Sequence, residues 1–148
     1  MALFRDAAAV HGRDLKLGEE VGLGYRFFIA ESQERAIELA RPYYEEALKF
    51  AAPLGLTALT SDQIEAVAAG PASRGVKLPT LEEAVASGTW LCGPPELIIE
   101  HFERVEQQYP GVERINMGAV MGMPLEVFKD QLTQFSEEVM PEFVGRSG

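Results

Sequence analysis

The run Gly118 to Pro124 (GAVMGMP) has the residue types that let a backbone approach a bound ligand closely. Small residues leave its amides accessible to a ring or a phosphate. Met117, Met121 and Met123 are suited to lining an apolar pocket, because thioethers are soft and conformationally adaptable. Met117, Gly118, Met121, Gly122 and Met123 are therefore the candidate pocket residues. The same residues serve equally well in a tight strand-to-helix turn backed by core methionines, the commoner use in α/β folds.

Little else in the chain is arranged for chemistry. There is no phosphate-binding P-loop, GxGxxG fingerprint, nucleophile elbow or His/Cys metal spacing, so no catalytic residue and no metal is assigned. His11 and His101 are far apart in sequence. His101 falls beside Ile98, Phe102 and Val105 and reads as a packing residue, and His11-Gly12 reads as a helix end. Cys92 has no nearby residue to lower its pKa and reads as a small buried hydrophobe. Trp90 reads as core or interface. The pairs Glu19-Glu20, Glu45-Glu46, Glu82-Glu83 and Glu137-Glu138 are adjacent, so in helices their members diverge by about 100° and read as solvated faces. Arg35, Arg41 and Arg74 have the reach for a phosphate, but sequence singles out none of them.

The elements that must position the loop are legible around it. Pro95 suits a first helical position and Glu96 a first turn; Leu97, Ile98, Phe102 and Val105 then recur at helical spacing until Tyr109-Pro110-Gly111. Arg114–Val120 is short and nearly uncharged, as a strand covered on both faces should be. Leu125, Phe128, Leu132, Phe135 and Val139 form the stripe of one long final helix, ended by Met140-Pro141. Upstream, Val21–Ala30 (VGLGYRFFIA) is a second strand. Ser32 caps a helix with stripe Ile37, Ala40, Tyr44, Ala47 or Leu48, and Ala51, which Pro42 is expected to kink or split. Within Pro53–Ser87, Thr60-Ser61-Asp62 starts a short helix, 70–75 reads as an exposed loop, and Thr80-Leu81-Glu82-Glu83 matches a capping box.

At 148 residues the chain can bury one ordinary core. Its net charge of −10 argues against binding nucleic acid or an anionic membrane. One cysteine excludes an internal disulfide, and no apolar run approaches the ~20 residues of a membrane span. The N-terminus carries no signal-peptide block, so a cytoplasmic location is expected.

In order and spacing these motifs resemble the C-terminal part of the luciferase-like monooxygenases, flavin- or deazaflavin-dependent oxidoreductases built on a TIM barrel. The resemblance rests on Gly93-Pro94-Pro95-Glu96, Arg114–Val120, Gly122-Met123-Pro124-Leu125-Glu126 and Glu138-Val139-Met140-Pro141-Glu142-Phe143. Ala8–Asp14 and Tyr25–Ala30 with Glu31-Ser32-Gln33-Glu34-Arg35-Ala36 also fit, so it covers nearly the whole chain. It implies an α/β fold: part of a (β/α)8 barrel, with about two parallel barrel strands, Tyr25–Ala30 and Arg114–Val120, as neighbours. A helical insertion would occupy about 53–88, and residues 1–148 would form a single domain with a disordered tail at 144–148. It further implies FMN or F420 and a small organic substrate, with a flavin or long-chain substrate at the methionine loop.

A complete barrel needs about 250 residues. The earlier strands, which carry most of the family's catalytic and cofactor contacts, are absent, so the chain alone is expected to be inactive. Whether it binds either flavin by itself stays open. Two other readings remain: a non-catalytic α/β module that forms a homo-oligomer through its unpaired edges, and a small protein that binds an apolar ligand.

Overall fold

The structure is a computed structural model and describes residues 1–52, 54, 59–69, 76–118 and 120–145. The first helix, α1 (Ala2–Val10), ends at His11 as its residue pattern implies, and Gly12 follows with φ 76°. Then come β1 (Gly22–Ile29), α2 (Gln33–Ala51), α3 (Ser61–Ala69) and α4 (Leu81–Ala86). The remaining elements are β2 (Trp90–Gly93), α5 (Pro95–Gln108), β3 (Arg114–Met117) and α6 (Leu125–Gln134).

The three strands form one parallel sheet in the order β2-β1-β3. The two strands marked in the sequence are therefore neighbours: Gly22–Tyr25 pairs with Arg114–Met117. The second half of β1, Arg26–Ile29, pairs on its other side with Trp90–Gly93. The class is α/β, and the open parallel sheet is consistent with part of a (β/α)8 barrel.

Alternation along the strands sorts the core into two layers. Phe28, Trp90 and Cys92 point to one face, where α2 supplies Ala36 and Ala40 and α4 supplies Leu81. Phe27, Ile29 and Leu91 point to the other, where α5 supplies Ile98 and Phe102. The cover is complete only where β1 pairs with β2: Phe27–Ile29 and Trp90–Gly93 are all buried, whereas Gly22, Gly24 and Arg26 of β1 and Arg114 and Asn116 of β3 are exposed.

Local signals account for most element ends. Ser32 Oγ accepts from the Arg35 amide at 3.2 Å, and Thr80 and Glu83 close a full capping box at the start of α4. Gly70–Gly75, read above as a loop, lies outside the described residues, as does Arg74. Of the tail, Val144 donates to the Met140 carbonyl at 3.2 Å, and 146–148 lie outside the description.

The chain departs from the sequence expectation in four places. The strand expected over Arg114–Val120 with both faces covered ends at Met117, and its Arg114 and Asn116 are exposed. A third strand, β2, joins the two expected ones; its four residues are all buried. Pro42 does not divide α2, which runs on through it as one helix. Pro42 is exposed, so the backbone carbonyl it leaves unpaired can be hydrated. The final helix is not uniform: α6 passes into a π-helical turn, Phe135–Val139, and then a 3₁₀ turn, Met140–Glu142. The widened turn brings Phe135 and the fully buried Val139 together against Phe27 and Phe102.

Candidate functional site

The carboxyl ends of the strands are where a parallel α/β fold places its ligands. Here three segments leave the sheet at that edge: Ala30 into α2, Gly93 into α5, and Gly118 towards α6. β3 stops pairing after Met117, where the Gly118 amide donates to the Tyr25 carbonyl at 3.2 Å. Beyond that point the edge of β1 is taken over by a side chain. Gln131 of α6 accepts from the Ile29 amide at 2.5 Å and donates to the Ile29 carbonyl at 3.1 Å. One buried carboxamide thus replaces the missing rung of the ladder.

The structure sets the five candidate pocket residues apart. Met117 packs on the α5 face of the sheet, and Met123 packs on the α2 face. Met121 is 46% exposed and Gly118 is exposed. α2 lies over the loop: Val120 is buried in the α2 layer, and a Cβ built at Gly122 would meet Glu46 Cβ at 3.2 Å. Gly122 also has φ 78°, which favours glycine. The loop is thus a tight strand-to-helix turn under a helix. Arg35 and Arg41, weighed above as phosphate ligands, are engaged by Glu38 at 2.6 Å and Glu82 at 2.5 Å.

Chemistry-bearing groups gather instead beside β2. A small cavity of about 90 Å³ there is lined by Gln33, Trp90, Cys92, Leu97, His101 and Arg104, among others. Gln33 Nε2 donates to the Cys92 carbonyl at 3.4 Å. Burial pushes the Cys92 thiol up to about 12, so it is a neutral thiol at physiological pH and a poor nucleophile. The His101 ring stands edge-on to Tyr25, centroids 5.1 Å apart, and a Cβ on Gly88 would come within 2.9 Å of its Cε1. Its Nε2 is buried with no hydrogen-bond partner. Sequence gave no warning of that, because the neighbours that shield it come from three separate segments. Among the described residues no cluster of His, Cys, Asp and Glu could hold a metal, and no helix is long and apolar enough to cross a membrane.

Burial, and next the Arg104 charge, lower the His101 pKa below its ordinary value of 6.5. The unfolded chain then binds this proton more readily than the folded one. Its contribution to stability is whole above pH 6.5 and is lost as pH falls through the folded value. His101→Gln should flatten the decline in urea midpoint between about pH 7 and pH 5. A slope unchanged by the substitution would show that the imidazole is solvated.

The frame is therefore that of a parallel α/β protein with a closed carboxyl edge. No protein-family model matches the chain, and no curated protein does. Solved structures do. The chain is similar to the monooxygenase RslO1 from Streptomyces bottropensis, with TM-score 0.63 and 20% identity over 96% of this chain and 36% of that one. It is also similar to a type II Baeyer–Villiger monooxygenase, the oxygenating constituent of 3,6-diketocamphane monooxygenase from the CAM plasmid of Pseudomonas putida, in complex with FMN. There the TM-score is 0.58 and the identity 15%, over 95% of this chain and 38% of that one. At such identities the likeness is one of fold, and the chain spans well under half of either protein.

Proposed function

We propose that the chain is the C-terminal part, or a short relative, of a flavin-dependent luciferase-like monooxygenase or oxidoreductase, inactive by itself. The observation that carries this reading is that 96% of the chain superposes on 36% of a monooxygenase with TM-score 0.63. FMN or F420 and a small organic substrate belong to that reading. So do a single domain over 1–148 with its insertion at 53–88, and a cytoplasmic setting for the free Cys92.

The residues present do not fit a flavin at the candidate loop. α2 lies against Gly122, Met117 and Met123 diverge to opposite faces, and the charged side chain that faces Gly122, Glu46, is an acid paired with Lys49. No catalytic residue is assigned. The test is to titrate the purified chain with FMN and with F420 and to assay oxidase and reductase turnover. Neither tight binding nor turnover is expected; stoichiometric binding with turnover would overturn the proposal of inactivity.

A second reading, self-association, has its own support. β3 is an edge strand, half of it exposed, and Leu125, eight residues after it, stands 64% exposed. Such an edge invites pairing with a second copy. Light scattering across a concentration series decides this: dimers or larger assemblies support it, and a monodisperse monomer removes it.

A further inference from the structure

We propose that the cleft between α2 and α3 binds a small, uncharged, apolar molecule. It holds about 390 Å³, within the range of small-molecule pockets. Leu48, Ala66, Val67, Leu78, Pro79 and Leu81 line it. It lies on α2, away from the strand ends, and does not depend on the flavoenzyme reading.

Two features make the cleft a built one. Its walls are pinned through the segment Lys77–Thr80, which runs between the helices. Gln63 of α3 donates to the Lys77 carbonyl at 2.8 Å, and Tyr44 of α2 donates its hydroxyl to the Pro79 carbonyl at 3.0 Å. The segment cannot collapse into the space without breaking one of them, so the cleft exists before any ligand arrives.

Charge selects the kind of occupant. Arg41 is paired with Glu82 at 2.5 Å and Lys49 with Glu46 at 2.6 Å, and Glu45 adds a further acid at the rim. Among the described lining residues no uncompensated cation is left to hold an anionic head group. The Thr80 hydroxyl already accepts from the Glu83 amide at 3.2 Å, and the Thr80 amide donates to the Glu83 carboxylate at 3.1 Å. A peptide, which brings its own backbone donors and acceptors, would bury them against apolar side chains at a cost. A compact hydrocarbon or aromatic ring system meets no such penalty, and the Tyr44 oxygen can still accept one hydrogen bond.

The test uses N-phenyl-1-naphthylamine, an uncharged dye that brightens in apolar surroundings, titrated into the purified chain. A single saturable site is expected. Val67→Phe and Leu78→Phe, which fill the cleft, should each weaken binding at least about tenfold. Lys16→Phe, in the separate groove of about 590 Å³ beside β3, should leave it unchanged. Hydrogen exchange on the unmodified chain provides a readout that needs no variant: the dye should protect Ser61–Ala69 and residues 77–81. The proposal falls if brightening does not saturate, if Lys16→Phe weakens binding while the cleft variants do not, or if protection appears elsewhere.

Discussion

Phe102→Ala should cost about 3–5 kcal/mol of unfolding free energy, the range for emptying a buried aromatic site. Phe102 is 4% exposed, and its ring meets those of Tyr25, His101, Phe135 and Phe143 at centroid distances from 5.6 to 6.2 Å. These rings come from β1, from α5 itself and from the turns after α6, so no single neighbour can move in to fill the gap. Such a loss is a large share of the ~5–15 kcal/mol that holds an ordinary domain together. Urea unfolding followed by Trp90 fluorescence measures it. A loss under about 1 kcal/mol would mean that α5 does not sit on the sheet as described.

Gln131→Leu should cost about 2–4 kcal/mol, although the new side chain is apolar and similar in size. The reason is the partner left behind. Gln131 is 6% exposed and satisfies both backbone groups of Ile29, itself 4% exposed. Leucine satisfies neither, and each orphaned buried group costs about 1–3 kcal/mol. The Ile29 amide should also exchange with solvent faster relative to its neighbours in β1. Gln131→Glu separates the two contacts, since an ionised carboxylate can accept from the amide but cannot donate to the carbonyl. If leucine is tolerated without loss, the carboxamide is not bridging that edge.

These residues also mark what the sequence could reveal. β1, β3 and α5 were legible because each carries its own signal: a β-branched and aromatic run, a short uncharged segment, and an apolar stripe behind Pro95. Trp90–Gly93 was not legible as a strand. Four residues between a glycine turn and Pro94 show no periodicity, and only pairing with Arg26–Ile29 makes them one. Gln131 looked like any polar helix position, because its partner lies 102 residues away. The methionine loop is ambiguous in sequence for a related reason. Small residues permit close approach of whatever arrives, and here it is α2 with Glu46. Nothing within Gly118–Pro124 distinguishes a helix from a ligand. The cleft at α2 and α3 was equally hidden, since its lining is drawn from three separate segments.

The order β2-β1-β3 has a consequence for how the chain is made. The middle strand is translated before both of its flanks, so its hydrogen-bonding edges have no local strand to pair with as it leaves the ribosome. At about 5–20 residues per second, roughly 5–20 s pass before the helix that closes its far end has been synthesised. Trp90–Gly93, the strand that pairs with Phe27, Phe28 and Ile29, follows after roughly 3–13 s, and until then α2 can cover Phe28 while Phe27 and Ile29 stay open to chaperones and to other nascent chains. Yield during expression should therefore respond to translation speed and temperature more than the finished fold's stability would suggest.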